Sequence, residues 1–263
     1  MKANILDRIA ATKRTEVEAL KQIMPLETLS ELSRAVRRPP LSLKDSVRSR
    51  ETAVIAEHKR RSPSKGEISP MSQVAEIAET YAVNGAAGMS VLTDTAYFGG
   101  SLADLALARR TAPWLPLLRK EFIVDEYQLY EARVYGADAV LLIAAMLDAD
   151  SLGRLNDTAH AIGLQTLVEL HSEKELEKLP SDADLVGVNN RDLTTFSTDI
   201  SVASGLIGRI PADTVKIAES GIRNPSDLRR LKDAGFDGFL IGEALMSAPA
   251  PGIALQEFLA AGL

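Results

Sequence analysis

Five short apolar runs in this 263-residue sequence end in polar side chains that keep a single alternate phase. The first contains Ile55, Glu57 and Lys59, the second Leu118 and Lys120, the third Leu167 and Glu169. The others contain Leu185, Gly187 and Asn189, then Ile217 and Glu219. If these runs are strands, each set shares one face, because side chains alternate across a strand. Ammonium, carboxylate and amide groups gathered on such a face could carry out general acid–base chemistry on an anionic substrate. A lysine whose pKa is tuned by burial and neighbouring charge can give a proton, and a nearby carboxylate can take one. One charge at a strand end reads as simple solvation. Five ends repeating one phase read as a shared cup, and a structural cluster of ion pairs would use the same residues.

A second feature suits an anion. Ser220-Gly221 in AESGI and Gly242 in GFLIGEALM each close an apolar run. Backbone N–H groups at such turns can cradle a phosphate, although both glycines would also serve plain tight turns. The loop RRSPSKG adds Arg60, Arg61, Ser62 and Lys65, of which Lys65 reads as a solvated loop residue. His58 has the phase opposite to Glu57 and Lys59 and is expected to pack outward. Trp114, at the start of a run, is expected to pack on the face away from chemistry.

The elements that must position these groups alternate along the chain. Apolar runs at 53–59, 88–94, 115–122, 138–145, 164–170, 185–191, 214–221 and 238–245 read as strands. Helical spacing follows each, at 74–83, 102–108, 127–135, 152–162, 173–179, 202–207, 228–234 and 253–259. Near-continuous apolar strands, each followed by a helix, indicate parallel strands buried on both faces. Eight units in a chain of this length predict an α/β fold, a single (β/α)8 TIM barrel with an N-terminal helical extension. A doubly wound open sheet is the competing arrangement. The extension reads as helix up to Pro39-Pro40, restarting at Pro25, and residues 41–50 read as a polar linker. The expected organisation is one domain over residues 1–263, with 1–50 as extension and linker.

Composition narrows the chemistry. The chain is 46% hydrophobic, with 30 basic and 36 acidic residues and a net charge of −6. That balance argues against nucleic-acid and membrane partners. The sequence contains no cysteine, which excludes disulfides, thiolate metal sites and a thiol nucleophile. The three histidines, His58, His160 and His171, have no paired spacing, so no metal site is expected. A cytoplasmic setting is the expectation.

AEHKRRSPSKG resembles the strand-one signature of the indole-3-glycerol-phosphate synthase family, E-x-K-x-x-S-P-S. TDTAYFGGS, LLRKEFIVDEYQ, TLVELH, VGVNNRDL, IAESGI and GFLIGEALM resemble that family's later strand-end motifs, in order. The resemblance covers residues from about 50 to about 250, and the helical extension fits it too. It implies the substrate 1-(2-carboxyphenylamino)-1-deoxyribulose 5-phosphate, closed to an indole with loss of carbon dioxide and water, in tryptophan biosynthesis. It implies no cofactor and a small phosphorylated anthranilate–ribulose partner. The oligomeric state is left open by the sequence, with a monomer favoured.

By that resemblance Lys120 is the acid that protonates the ketone oxygen. Lys59 pairs with the anthranilate carboxylate and serves later proton transfers, and Glu169 acts in the dehydration. Glu57, Asn189 and Glu219 form a supporting polar shell. Ser62, Ser220, Gly221, Gly242 and Glu243 fall at the phosphate, with Arg191 a further anion partner. Phe98, Phe122, Leu142 and Leu240 are walls for the aromatic ring. Some members of the family carry serine where this chain has Glu243. A carboxylate there would repel phosphate, so its side chain is expected to turn away, leaving its backbone N–H. Competing readings are another phosphate-binding barrel, such as a phosphoribosylanthranilate isomerase, and a silent binding barrel. The first wants a cysteine this chain lacks, and the second would have lost a strand-end charge.

Overall fold

The computed structural model describes residues 5–63, 65–191 and 205–262. In chain order the extension supplies α1 (Ile5–Ile23), α2 (Leu26–Ala35) and α3 (Leu43–Arg48). The barrel strands are β1 (Ala53–His58), β2 (Gly88–Leu92), β3 (Leu117–Lys120), β4 (Ala139–Ile143), β5 (Gln165–Leu170), β6 (Leu185–Asn189), β7 (Val215–Glu219) and β8 (Gly238–Ile241). They pair in parallel in the order β1-β8-β7-β6-β5-β4-β3-β2 and close into a barrel. Closure excludes the open sheet: Ile55 of β1 stands opposite Leu240 of β8 on one side and Gly88 of β2 on the other.

Around the barrel run α4 (Val74–Val83), α5 (Leu102–Thr111), α6 (Tyr127–Val134), α7 (Ala149–Ala161), α8 (Pro225–Asp233), the short α9 (Glu243–Met246) and α10 (Pro251–Ala261). The helix expected at 173–179 is instead a 3-10 segment, Glu173–Lys178. Pro180 stops it and only Leu176 and Leu179 reach the helix-layer core. Of the helix expected at 202–207, residues 202–204 lie outside the described residues, and 205–207 lead into a 3-10 turn, Ile207–Arg209.

Strand phase sorts the side chains into two cores. Ile55, Leu118, Leu141, Leu167, Leu185 and Ile217 fill the barrel interior. Val54, Val91, Leu142, Val168, Val188 and Phe239 pack outward with the helices. The phase that carries the strand-end charges is therefore the inward one.

Residues 41–50 are not a linker. Ser42 caps α3 by accepting a hydrogen bond from the Asp45 N–H, as a helix N-cap should. Leu43 and Val47, one turn apart, are fully buried among the interior residues at the start of the strands. Asp138, at the start of β4, ties the extension down: it accepts from Arg38 at 2.7 Å, from the Leu41 N–H at 2.8 Å and from Arg109. Val17 of α1 and Leu29 of α2 dock on Tyr127 of α6. Trp114 does not pack as expected. It is 63% exposed, in the proline-flanked turn before β3. No helix among the described residues is long and apolar enough to cross a membrane.

Candidate active site

The inward strand ends open into a cavity of about 750 Å³ at the C-terminal mouth of the barrel. That is the end where this fold builds its sites, because the βα loops converge there. Every site residue chosen from the sequence lines it except Leu142. Leu142 points into the helix layer, and its neighbours Leu141 and Ile143 form the wall instead. β4 carries no polar residue at its end, so nothing in DAVLLIAA marks its phase.

The charges pair across strands. Lys59 Nζ lies 2.7 Å from Glu57 Oε1, and Ser90 Oγ of β2 donates to Glu57 Oε2 at 3.2 Å. Lys120 Nζ, from β3, reaches Glu219 of β7 at 3.1 Å and Glu169 of β5 at 3.4 Å. On the far side of Glu169, His171 Nε2 sits 2.7 Å from Oε1. All three carboxylates are almost fully buried.

Two glycines make room for them. A methyl at Gly187 would overlap Glu219 Oε1 outright and sit 3.1 Å from its Cδ. A methyl at Gly242 would come 2.6 Å from Glu57 Oε1. Gly187, on the inward phase of β6, is thus the empty place that Glu219 fills.

Burial would strip Lys120 of its proton, but Glu219, Glu169 and Glu57 outweigh it and hold the ammonium well above the ordinary lysine range. Burial likewise pushes Glu57 and Glu169 up, and the neighbouring cations more than reverse it, leaving both below the usual carboxylate range. Glu219 goes the other way. Burial and the charge of Glu169 raise it well above that range despite Lys120. The three groups therefore combine an ammonium, a carboxylate and a carboxylic acid in van der Waals reach, a set able to give and take protons.

Directly after Glu219 the backbone is unusual. Ser220 and Gly221 both adopt left-handed φ, +63° and +79°. Ser220 is the lone non-glycine residue in that region among the described residues. Such strain persists only where the surroundings enforce it. Asn190 Nδ2 enforces it here by donating to the carbonyls of Glu219 and Ser220, each at 3.1 Å. Ser62, Ser220, Gly221 and Gly242 all line the cavity. The Glu243 side chain does not turn away. It pairs with Lys65 at 2.6 Å and stands 4.0 Å from Arg191, because those two cations flank it across the rim. Lys65 is thereby a rim residue as well as a loop residue. The Asn189 Oδ1 accepts from the Arg191 N–H at 3.0 Å and fixes that turn.

Phe98 and Phe122 make a tilted pair with ring centroids 5.9 Å apart. Asp94 positions Phe98 by accepting from the N–H groups of Tyr97 and Phe98. Its other oxygen pairs with Lys13 of α1 at 2.7 Å, and Lys13 also meets Glu121, next to Lys120, at 3.3 Å. Ile5, Leu6 and Ile9 of the same helix line the cavity. This roof escaped the sequence reading, since helical spacing does not tell where a helix docks. Lys13 did leave a signal, for it interrupts the apolar stripe Leu6, Ile9, Ala10 and Val17. His171 left one too: it stands two residues after Glu169, as Lys59 stands two after Glu57. His58 packs outward as its phase predicts, 3.0 Å from Ser72 Oγ. No cluster of three or more His, Asp or Glu side chains among the described residues could hold a metal ion.

A family model described as "Indole-3-glycerol phosphate synthase" matches residues 6–258. A protein of that name from Bacteroides thetaiotaomicron is 46% identical over 260 residues, covering 98% of each chain. Another of that name, from Burkholderia vietnamiensis, is 46% identical over 258 residues, covering 97% of this chain and 98% of the other. The structure of a thiamine phosphate pyrophosphorylase from Pyrococcus furiosus superposes with a TM-score of 0.62 at 15% identity, over 84% of this chain and 98% of that one. At that identity the likeness speaks for the fold alone.

Proposed function

Since this chain belongs to the indole-3-glycerol phosphate synthase family, we propose a division of labour among its buried charges for that family's reaction. The reaction is a carboxy-lyase step of tryptophan biosynthesis: 1-(2-carboxyphenylamino)-1-deoxyribulose 5-phosphate closes to indole-3-glycerol phosphate, releasing carbon dioxide and water. Its substrate carries a carboxylate at one end and a phosphate at the other, so gripping both ends lays the ketone over the ring. Such positioning can supply about 7–11 kcal/mol of a barrier.

Lys120 protonates the ketone oxygen as the aromatic carbon attacks it. Lys59 pairs with the carboxylate until it leaves as carbon dioxide, then protonates the departing hydroxyl. Glu169 takes the proton from the adjacent ring carbon, and the released electron pair completes the indole double bond. Glu57, Glu219 and Asn189 hold these groups in place. Ser62 and the backbone at Ser220, Gly221 and Gly242 receive the phosphate, with Arg191 beside them. Phe98, Phe122 and Leu240 clasp the ring. The same reading takes residues 1–263 as one domain, acting in the cytoplasm as a monomer.

The observation that carries this assignment is Lys120, held between Glu219 at 3.1 Å and Glu169 at 3.4 Å inside the mouth. Replacement of Lys120 by alanine tests it. Loss of the acid lowers kcat by about a hundredfold or more, while circular dichroism shows an intact fold. A kcat within a few-fold of the parent, read from indole fluorescence, refutes the assignment.

A further inference from the structure

We propose that His171 is a positioning residue for Glu169. It fixes one carboxylate oxygen so that the other faces Lys120 and the substrate. The inference rests on reading Glu169 as the base of the dehydration.

Glu169 lines the cavity and His171 does not, so the imidazole stands behind the carboxylate and away from the substrate. The two oxygens of Glu169 have different partners. Oε1 meets His171 Nε2 at 2.7 Å, and Oε2 meets Lys120 at 3.4 Å. A carboxylate held at one oxygen by a short charge-assisted bond is restrained about its last torsion, and the other oxygen keeps its aim. The backbone that carries the imidazole is itself anchored. The His171 backbone N–H donates to Glu175 Oε2 at 2.7 Å, and Ser172 Oγ donates to Glu175 Oε1 at 2.9 Å. Glu175 thus staples the turn after β5 that presents the ring.

Packing alone does not account for a histidine here. Its Nδ1 is buried and has no hydrogen-bond partner among the described residues. An apolar side chain of similar size would avoid that penalty, since an unsatisfied buried polar atom destabilises a fold. What the imidazole adds, and an apolar group would not, is the N–H at Glu169.

Three substitutions test the idea by steady-state kinetics on the full chain. His171→Leu removes the donor, and His171→Asn withdraws it from reach while keeping a polar side chain. Both are expected to lower kcat by about tenfold or more with KM within about threefold. His171→Gln can place an N–H near the position of Nε2 and should restore kcat to within about threefold of the parent. In a Glu169→Gln background, which alone is expected to lose at least a hundredfold in kcat, His171→Leu should cost less than about twofold further, because the two residues act as one unit. Native kcat in both His171→Leu and His171→Asn beside a crippled Glu169→Gln overturns the proposal and leaves the role of Glu169 standing. A full tenfold loss repeated in the Glu169→Gln background also overturns it. Native kcat in Glu169→Gln overturns the role of Glu169 and the proposal with it. A purely structural role would lower Tm in the Leu, Asn and Gln variants alike and leave the kcat of folded protein unchanged.

Discussion

Alanine at Gly187 is the sharpest probe of how the cup is built. In a strand with ordinary φ, such a change usually stabilises by about 0.4–1 kcal/mol, since it restricts the unfolded chain. Here the new methyl would overlap Glu219 Oε1, sit 3.1 Å from Glu219 Cδ and 3.3 Å from Leu167 Cδ1. Leu167 belongs to the packed interior and has no room to give. The glutamate must therefore move, by about 1 Å before the overlap is relieved. That motion breaks its 3.1 Å pairing with Lys120. Overpacking of this kind costs about 1–3 kcal/mol of stability, and a displacement of about 1 Å in a catalytic array can cost about a hundredfold in rate. We expect Gly187→Ala to lose about a hundredfold in kcat with a modest fall in Tm, measured by indole fluorescence and thermal unfolding. Glu219→Asp in the same chain shortens the carboxylate arm by one methylene and should recover part of the loss. A Gly187→Ala enzyme with kcat within about threefold of the parent would show that the placement of Glu219 is immaterial, and the account of the cup would fail.

Glu243→Gln removes the carboxylate that competes with phosphate for Lys65 and Arg191, so KM should fall about three- to tenfold with little change in kcat; an unchanged or higher KM counts against a phosphate seat there. Lys13→Met leaves Asp94 buried without its cation and Glu121 with Arg119 alone, 3.8 Å away, and should cost about 3 kcal/mol, or about 6 °C in Tm, read by calorimetry. His58 is held down to about 4 from 6.5, first by burial and then by Arg60. The unfolded chain therefore binds the proton first: the contribution of His58 is complete above pH 6.5 and drains away toward pH 4, by roughly 2–3 kcal/mol. Urea titrations of the parent and His58→Gln should converge on that difference as pH falls, and parallel pH profiles would rule it out.

The barrel was legible because its strands are buried on both faces and its helices on one, so period and composition separate them cleanly. Glu57, Lys59, Lys120, Glu169 and Glu219 were legible for a related reason. A charge that ends an apolar run on the inward phase has few explanations. Where that contrast is missing, the reading failed. The β4 run is apolar on both phases, so its pattern offers Leu142 as readily as its neighbours, whereas Leu141 and Ile143 line the cavity. Residues 41–50 are polar at most positions, and two buried side chains one turn apart, Leu43 and Val47, are too few to reveal α3. Glu243 was placed by weighing one repulsion, with phosphate, while its two attractions, to Lys65 and Arg191, come from loops far off in sequence. Local pattern predicts elements and phase; it does not predict which distant loop supplies a counter-charge.

The direction of the Lys120 shift shows what such counter-charges decide. Two lysines and burial would together drive one ammonium toward neutrality, yet the carboxylates around Lys120 hold its proton more tightly than in water. With Glu57 and Glu169 ionised and Glu219 protonated, two ammonium groups face two carboxylates and one carboxylic acid. The cup is then close to neutral before an anionic substrate enters. A proton held that firmly makes Lys120 a weak acid in the resting enzyme, and a ketone oxygen is a weaker base than either carboxylate. Transfer becomes favourable only as the aromatic carbon bonds to the carbonyl and the oxygen turns into an alkoxide, a far stronger base than its carboxylate rivals. The pairing therefore keeps the acid charged and aimed until the moment the charge develops, and the stabilisation it gives is largest in the transition state, where it lowers the barrier.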